Sequence, residues 1–443
     1  MDVVIMVAQL TLSLSILVIL HECGHFFPAR WFNTRVEKFY LFFDAGFSLL
    51  KFKRGDTEYG IGWLPLGGYV KISGMIDESF DKDQMAGPVQ PWEFRSKPAW
   101  QRLIIMLGGV TVNFILAVIV FAGIFLYWGE SFMLNEDATY GIAVEKFGEE
   151  LGLRDGDQIL EIGDYKLTEF NEYEVVRKLV IDRAEVIKVR RDNQTLSLQV
   201  HDSTIQKISQ YDNREEVLFT LRLPLTVGEV AKGMEAEKIG LKAEDKIIGI
   251  NGKEIRFFHE FTKEAKTLKN KKSNINVIRV ADTLFMNVSF DSLGRLGFIP
   301  FGPDKFFEIS KRDFTVGKAL HEGLNRTVGF ITDQMKAFGQ IFRGKMKATE
   351  SVGSFISIGK MYGGTWDWRR FWSMTAMLSA LLGFINLLPI PALDGGHVMF
   401  LLWEVITGRK PSDKFLEYST LLGFLLIICL MIFAVGIDIM RHI

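Results

Sequence analysis

The chain has 443 residues and a formal net charge of −1, and 24% of its residues are charged. A chain of this length is expected to form two or three structural units. The near-zero net charge gives no general affinity for polyanions, so nucleic acid is excluded as an expected partner. The two cysteines, Cys23 and Cys429, lie far apart in apolar segments, which argues against a disulfide framework.

Long apolar runs predict an integral membrane protein. About 20 residues of helix cross a hydrocarbon core, and four uncharged runs approach that length: residues 3–20, 103–128, 371–393 and 418–437. The first run has no basic segment before it and no small-residue cleavage site after it. We therefore expect it to remain as a transmembrane helix and not to be removed as a signal peptide.

Basic residues predict the orientation of these runs. No Lys or Arg precedes the first run, whereas basic residues follow it closely and lead into the second run. The connector between the last two runs carries Arg409, Lys410 and Lys414. We therefore expect both connectors on the cytoplasmic side, and both termini and the long middle segment on the opposite side.

The middle segment, from about residue 130 to 300, reads as soluble sequence with an internal duplication. Residues 152–162 align with residues 240–250 at an offset of 88, and both copies continue into a turn and a polar strand. The Gly-Leu pair, acidic loop and Ile-rich strand of each copy resemble PDZ domains. That resemblance implies small α+β domains that bind an extended peptide at a sheet edge. The alternative, that the copies act only as a lid or spacer, is equally open.

Beyond the repeats, apolar residues recur at helical spacing with Lys and Arg between them. They predict an amphipathic helix that either lies on the membrane surface or packs against the repeats. The apolar positions of this helix are Leu324, Val328, Ile331, Met335, Phe338 and Phe342.

An H-E-x-x-H motif, formed by His21, Glu22 and His25, ends the first apolar run. Positions i and i+4 of a helix share a face, so both imidazoles can bind one Zn²⁺ while the glutamate lies beside the metal-bound water. Ionisable groups in an apolar helix cost about 2.5–3.5 kcal/mol each, which argues against a purely structural role. The motif therefore predicts a zinc site with Glu22 as the catalytic base.

A catalytic zinc site needs a third protein ligand. Asp394, near the end of the third run, follows two helix-interrupting prolines and precedes a Gly-Gly turn, so we predict that it is this ligand. His397 competes for the role but is expected outside the ligand set. Asn386 either holds the substrate backbone or stabilises an oxyanion, or it satisfies carbonyls freed by the helix break.

The H-E-x-x-H motif, the paired repeats and the segment from Asn386 to His397 together resemble the site-2 protease family. Within it they resemble the bacterial members with two PDZ repeats, the regulator of sigma-E protease type, over nearly the whole chain. In that family the positions matching His21, His25 and Asp394 bind zinc, and the position matching Glu22 is the catalytic base.

The resemblance also implies an activity and a location. It implies a zinc metalloendopeptidase of the bacterial inner membrane, with its active site toward the cytoplasm. The expected substrate is a single-span membrane protein already trimmed outside the membrane, for example a membrane-bound anti-sigma factor.

Residues 64–71 and 107–113 resemble further family segments. The resemblance implies that residues 36–75 form a re-entrant β-hairpin that presents the substrate as an added strand. Phe42-Phe43-Asp44 is a departure, because related proteins often carry Gly-x-Gly there. The residues then expected to bind substrate are Asn386, Pro389, Pro391, Gly67 and Gly68.

The expected fold is a multi-pass α-helical membrane protein with four transmembrane helices, a re-entrant β-hairpin region and two extracytoplasmic PDZ-like α+β domains. The predicted segments are residues 1–32 (first transmembrane helix with the zinc motif), 33–101 (cytoplasmic-side segment with the hairpin), 102–129 (second transmembrane helix), 130–220 and 221–303 (the PDZ-like domains), 304–369 (amphipathic helix and connector), 370–408 (broken third transmembrane helix) and 409–443 (connector and fourth transmembrane helix).

Two other functions compete with the protease. A non-catalytic membrane scaffold would bind partners through the PDZ-like repeats and would not need Glu22. A metal transporter would need polar residues along several spans, and the second and fourth runs offer little beyond Asn113.

Overall fold

The computed structural model describes residues 2–65, 67–75, 87–213, 216–351, 353 and 355–442. The chain forms two compact units, which we call the helical unit (Met1–Gly129, Asp313–Phe338 and Val352–Ile443) and the middle unit (Glu130–Arg312 and Gly339–Ser351). The following residues, and the parts of the predicted segments that fall on them, lie outside the described part of the chain: Met1, Leu66, 76–86, 214–215, Val352, Ser354 and Ile443.

The described elements before the middle unit are α1 (Asp2–Trp31), β1 (Val36–Leu41), β2 (Phe43–Arg54), β3 (Thr57–Leu64), β4 (Tyr69–Ile72) and α2 (Ala99–Trp128). Those of residues 130–312 are β5 (Glu130–Phe132), β6 (Ile142–Val144), α3 (Lys146–Glu150), β7 (Gln158–Ile162), β8 (Tyr165–Lys166), α4 (Glu172–Val180), β9 (Val186–Arg191), β10 (Gln194–Gln199), α5 (Asp202–Ile208), β11 (Phe219–Leu221), β12 (Val227–Val230), α6 (Glu235–Lys238), β13 (Lys246–Ile250), β14 (Lys253–Glu254), α7 (Phe258–Thr267), β15 (Lys272–Arg279), β16 (Asp282–Ser289), β17 (Phe298–Pro300) and β18 (Ser310–Arg312). The helices that follow are α8 (Val316–Phe342), α9 (Ala348–Ser351), α10 (Phe355–Tyr362), α11 (Trp368–Leu387), α12 (Asp394–Thr407) and α13 (Asp413–His442).

Helices α1 and α2 are apolar along most of their length, and local sequence explains where they end. α1 ends at Trp31, and Asn33 just beyond it adopts a left-handed φ of 53°, which asparagine tolerates. α2 begins directly after Pro98, whose ring fixes its φ near −60° and whose missing N–H removes one donor from the helix start, and the helix is capped by Gly129 with a φ of 66°. Both helices therefore extend beyond the apolar runs predicted at residues 3–20 and 103–128.

Within the part of the chain that the structure describes, three helices are long and apolar enough to cross a membrane: Asp2–Trp31, Ala99–Trp128 and Lys414–Met440. Helix α11, which occupies the third predicted run, is not one of them. It carries Arg369 and Arg370 in its first turn, so its uncharged part is shorter than the about 20 residues that a span needs. The predicted count of four transmembrane helices therefore stays a prediction.

Two prolines separate helix α11 from helix α12. α11 ends at Leu387, and Leu388 is extended, with φ −61° and ψ 145°. Leu388 precedes Pro389, and a residue before proline is disfavoured in the helical conformation. Helix structure resumes only at Asp394. The interruption that the prolines predict is therefore present, and it puts Asp394 at a helix N-terminus.

Strands β1 to β4 form one four-stranded sheet in the order β2-β3-β1-β4. β3 pairs with β1 in parallel and with β2 antiparallel, so it lies between two strands that are consecutive in the chain. The β-hairpin predicted within residues 36–75 corresponds to β2 and β3, which are antiparallel and joined by a short turn, and β1 and β4 extend it to a four-stranded sheet. Alternating apolar residues predicted the strands, but the order of the strands depends on pairings between distant residues that this pattern does not encode.

The Phe42-Phe43-Asp44 departure lies at the junction of β1 and β2. Phe42 has a φ of 68°, a left-handed conformation that glycine adopts readily and other residues adopt at a cost. The Tyr69 hydroxyl donates a hydrogen bond to Asp44 Oδ1 at 3.0 Å. Phe42 therefore adopts the backbone bend that glycine would allow, and the hydrogen bond between Tyr69 and Asp44 links β2 to the start of β4.

The middle unit contains one topology twice. Strands β7 to β10 form a sheet in the order β10-β9-β7-β8, and β13 to β16 form a sheet in the equivalent order, β16-β15-β13-β14. Each copy adds a two-stranded sheet, β6 with β11 in the first and β12 with β17 in the second. Each copy also has its own buried hydrophobic cluster. The duplicated sequence therefore corresponds to a duplicated fold.

The two copies share a buried ion pair at equivalent positions. Arg191 binds both oxygens of Asp157, each at 2.7 Å, and Arg279 binds both oxygens of Asp245 at 2.8 and 2.7 Å. Both aspartates are almost fully buried. Burial opposes ionisation of Asp245, but the hydrogen bonds and positive charge of Arg279 hold the pKa of this carboxyl below its ordinary value.

Two predicted segment boundaries need correction. The boundary between residues 220 and 221 falls inside β11, which pairs with β6 and therefore belongs to the first copy. The boundary between residues 303 and 304 falls before β18, which pairs with β5, so the middle unit continues to Arg312. Both errors have the same cause, since each closing strand is short and its partner lies far away in sequence.

Helix α8 is the predicted amphipathic helix, but the part of it in the helical unit packs through small residues. Ala319, Gly323 and Thr327 are buried, and Gly323 lies so close to Val118 and Ala122 of α2 that a Cβ atom would collide with them. The predicted apolar face is largely exposed, including Leu324, Val328, Met335 and Phe342. Whether that face lies on a membrane surface stays a prediction.

We expect Asp245→Ala to lower the free energy of unfolding of the middle unit by about 3 kcal/mol at pH 7, because the buried part of Arg279 loses its charged partner. The pKa of Asp245 is depressed in the folded state, so this stabilisation is present above the ordinary pKa of 3.8 and is lost as the pH falls below it. Urea-dependent pulse proteolysis of the full chain, with fragments of residues 130–312 followed on gels, measures the difference.

Glu254→Ala is the matched control, because Glu254 pairs with Arg256 on the exposed surface of the same copy. It should leave the urea midpoint unchanged. Equal losses in the two variants would contradict a structural role for the buried pair.

Candidate metal centre

His21 and His25 lie one helical turn apart on α1, in a helix that is otherwise mostly apolar. Their Nε2 atoms are 3.3 Å apart, and their rings meet edge to face with centroids 4.9 Å apart. Both side chains are buried. The i, i+4 spacing of the H-E-x-x-H motif accounts for this meeting, because residues four apart are neighbours on a helix surface.

Asp394 reaches the same point from helix α12. Its Oδ2 lies 3.4 Å from Nε2 of His21 and 3.3 Å from Nε2 of His25. Its position as the first residue of α12 follows from the proline-interrupted turn before it. The structure thus brings together the three residues that the sequence singled out as metal ligands, although 369 positions separate His25 from Asp394 in the chain.

The donor atoms of these three side chains lie within 4.8 Å of one another, and among the described residues they form the one converging group of three or more His, Cys, Asp or Glu. Asp394 Oδ2 is buried and accepts no hydrogen bond from any described group. A buried carboxylate oxygen requires a partner. Two imidazoles and a carboxylate are a donor set that zinc accepts, with a position left for water or substrate. The site therefore fits a catalytic divalent metal ion.

Two other potential ligands lie outside this converging group. Cys23 stands between the two histidines in sequence, but two residues along a helix turn a side chain to a different face. His397 lies three residues into α12 beyond Asp394 and is partly buried, and it is not part of the group either.

Glycines let α1 and α2 approach closely at the site. A Cβ atom on Gly24 would collide with the Gly108 carbonyl, and one on Gly108 would collide with the Gly24 carbonyl. A Cβ atom on Gly109 would collide with Nε2 of His25 and with the His21 ring. Residues 107–113 resemble a family segment in sequence, but that pattern alone does not show what these glycines contact. Their role is visible only once the two helices are packed.

The Nδ1 atom of each histidine ring also has a polar neighbour. Nδ1 of His25 lies 2.8 Å from the Ile105 carbonyl oxygen and therefore donates to it. Nδ1 of His21 lies 3.0 Å from the side-chain amide of Asn113, a fully buried residue of α2. The sequence marked Asn113 only as an isolated polar residue in an apolar run, and that isolation was the available signal for a role at the site.

Glu22 is buried on α1 between the two histidines. Its carboxylate lies within electrostatic range of His25, His21 and Asp394, and it faces the backbone amide of Val70 in β4. It does not belong to the converging donor group. This is the arrangement that a proton acceptor beside a metal requires, since a base must lie near the ion without binding it.

The other predicted site residues fall into two sets. Asn386, near the end of α11, places its Nδ2 3.3 Å from Nε2 of His21. Pro389 and Pro391 lie in the turn before Asp394, where the Leu393 amide donates to the Ile390 carbonyl at 2.9 Å. The prolines therefore position the α12 terminus, whereas Asn386 approaches the donor atoms directly.

Gly67 and Gly68 lie between β3 and β4. Gly68 comes so close to the Tyr40 carbonyl and to Val18 of α1 that a Cβ atom would collide with both. Gly67 has a φ of 158° and faces the Phe43 ring. Gly68 therefore lets the start of β4 lie against α1, about one turn before His21.

We expect Gly109→Ala to weaken Zn²⁺ binding by at least about tenfold, because the added methyl displaces both imidazoles from their common point. Titration of the purified protein with a zinc-competing chromophoric chelator measures the affinity. Gly123→Ala is the matched control, since Gly123 lies in the same helix with open space where the Cβ atom would be. Equal affinities for the two variants would contradict the close-approach argument.

Comparisons with known proteins agree with this geometry. The family model of Peptidase family M50 matches residues 9–430. The chain is 28% identical to the protein named "Putative zinc metalloprotease RC0203" of Rickettsia conorii, over 97% of this chain and 96% of the relative. It is 27% identical to Protease RseP of Yersinia pestis, over the full length of both chains. It is 27% identical to the regulator of sigma-E protease RseP of Escherichia coli, over 98% of each chain.

The family match covers nearly the whole chain and includes both sequence segments that supply the converging donors. On this evidence the chain belongs to peptidase family M50 and is a metalloprotease of the site-2 type.

Proposed function

We propose that this protein is a zinc metalloendopeptidase that cleaves single-span membrane proteins within the bilayer. The observation that carries the proposal is the convergence of Asp394 with His21 and His25, which lie with Glu22 on a helix that is long and apolar enough to cross a membrane. Ionisable side chains at such a depth are expensive, so they are functional candidates by default.

In this proposal His21 and His25 bind zinc through Nε2, and Asp394 binds it through Oδ2. A bound zinc ion would polarise the scissile carbonyl and lower the pKa of a water molecule to about 7. Glu22 takes a proton from that water and later delivers a proton to the leaving amine. Its buried position beside the two histidines places the carboxyl group near the proposed site of attack.

The substrate is proposed to pair with the outer edge of β4. β4 is a terminal strand of the four-stranded sheet, and the Val70 amide within it faces Glu22. A transmembrane helix hides its carbonyls in hydrogen bonds, so it must become extended before attack, and pairing with a sheet edge supports the extended form. Asn386, whose amide lies beside Nε2 of His21, holds the substrate backbone near the reacting carbonyl.

The proposed location is the bacterial inner membrane, with the active site toward the cytoplasm and the middle unit and both termini outside it. The basic connectors around residues 30–54 and 409–414 support this orientation. Two relatives are named as RseP or regulator of sigma-E protease, so the proposed substrate class includes a membrane-bound anti-sigma factor. The duplicated domains are proposed to be PDZ-like and to contact peptide or to exclude untrimmed substrates.

We expect Glu22→Gln to reduce cleavage of a model single-span substrate by about 10²–10⁴-fold while zinc content stays at the wild-type level, because proton transfer is lost but the ligands remain. Asp394→Ala should lose both cleavage and zinc. Purified proteins in lipid nanodiscs provide both measurements, with the metal determined by mass spectrometry.

Cys23→Ser is the control, since Cys23 lies in the same motif but outside the donor group. It should retain cleavage and zinc. Full cleavage by Glu22→Gln would contradict the protease mechanism and favour the non-catalytic scaffold.

Pairing of the substrate with β4 predicts a pattern of disulfide cross-links. In a chain with Cys23→Ser, Cys429→Ser and Glu22→Gln, a substrate cysteine should cross-link more strongly to Lys71→Cys in β4 than to Leu49→Cys in β2. The two positions lie on opposite terminal strands of the same sheet, so the comparison controls for sheet integrity. Equal or stronger cross-linking to β2 would place the substrate at the other edge.

A further inference from the structure

We propose that Asn113 is a positioning residue that fixes His21 in the tautomer needed to bind metal. The proposal rests on the proposed function, in which His21 binds zinc through Nε2. It concerns a residue on α2 that lies outside both the H-E-x-x-H motif and the segment around Asp394.

The two histidines need the same arrangement of protons. Nε2 of each ring points toward Asp394 Oδ2, so this nitrogen must offer a lone pair to the metal. Nδ1 of each ring must then carry the proton and needs a hydrogen-bond acceptor. For His25 the acceptor is the Ile105 carbonyl oxygen, 2.8 Å away. His21 needs an acceptor of the same kind, and among the described residues no backbone carbonyl accepts a hydrogen bond from its Nδ1.

The group beside Nδ1 of His21 is the Asn113 side chain, 3.0 Å away through its amide nitrogen. The amide oxygen of the same side chain is buried and has no hydrogen-bond partner among the described residues. The two ends of an asparagine amide have nearly the same shape, and the hydrogen-bond network determines which end points where. A half-turn of the amide places Oδ1 against Nδ1–H of His21, which gives the unpartnered oxygen a donor and gives His21 its acceptor.

Neighbouring helices hold Asn113 in place. Its side chain is fully buried, and the Ser379 hydroxyl of α11 donates to its backbone carbonyl at 2.7 Å. One turn earlier on α11, Thr375 lies 2.9 Å from Ser13 of α1 through their hydroxyl oxygens. Polar contacts thus connect α1, α2 and α11 near the site. Asn113 is the member of this set that touches a predicted ligand.

The test compares zinc affinity with fold stability in the full-length protein. Asn113→Leu removes the acceptor at similar size and should weaken zinc binding by about 10–100-fold, the usual effect of losing such a partner. Asn113→Asp keeps an acceptor oxygen and should bind zinc at least as tightly as the wild type. The thermal midpoint of zinc-free Asn113→Leu shows whether this variant folds, so a loss of zinc affinity at a wild-type midpoint reports the missing acceptor and not unfolding. Competition with a chromophoric chelator gives the affinities.

Gly123→Ala is the matched control, because Gly123 lies on the same helix as Asn113 with open space where its Cβ atom would be, and it contacts no residue of the site. It should bind zinc within about threefold of the wild type, well below the effect of losing a ligand's partner. If Asn113→Leu does not fold, Asn113→Ser replaces it, since the shorter hydroxyl side chain cannot span the same distance to Nδ1. It too should weaken zinc binding.

Two results would overturn the inference. One is an unchanged zinc affinity in Asn113→Leu, or in Asn113→Ser where that variant replaces it. The other is an equal loss of affinity in Asn113→Asp. A His21→Ala variant separates this failure from failure of the proposed function. If His21→Ala keeps its zinc, the assignment of His21 as a ligand is wrong. If His21→Ala loses its zinc but Asn113→Leu binds zinc normally, only the role of Asn113 is refuted.

Discussion

The close crossing of α1 and α2 is the constraint on which the rest of the site depends. Gly24 of α1 lies against Gly108 of α2, and Gly109 leaves the space that the two imidazoles occupy. Without a hydrophobic driving force between helices in lipid, small residues allow the backbone approach that makes such contacts favourable. The same crossing brings the Ile105 carbonyl and the Asn113 amide to the outer nitrogens of the histidines. One packing contact therefore fixes both the position of the histidines and the direction in which they point.

Other elements place Asp394 and the backbone of Val70 at this crossing. The proline-interrupted turn ends α11 and starts α12 at Asp394, so a carboxylate arrives at a helix terminus and not in the middle of a helix. The four-stranded sheet places Val70 of β4 beside Glu22. Backbone that is not helical is tolerated at membrane depth where protein covers it or where it lines a cavity. The proline-interrupted turn and β4 thus both lie beside the candidate metal centre.

The sequence predicted the chemistry better than the topology, for physical reasons. The motif spacing identified His21 and His25, and the prolines and glycines around Asp394 identified the third ligand, because both arguments depend on local pattern. The order of the four strands around the predicted hairpin was not foreseen and two boundaries were misplaced, because strand order and closing strands such as β11 depend on pairings between distant residues. Gly109 and Asn113 were passed over for the same reason, since their partners lie on another helix.

The central claim is that two imidazoles and one carboxylate hold a zinc ion, and zinc-edge X-ray absorption of the full-length protein in nanodiscs tests it most directly. The account predicts nitrogen and oxygen neighbours at about 2.0–2.2 Å, with two imidazole rings and no sulfur. A sulfur neighbour at about 2.3 Å would implicate Cys23, which stands between the two histidines, and would contradict the assignment of Asp394.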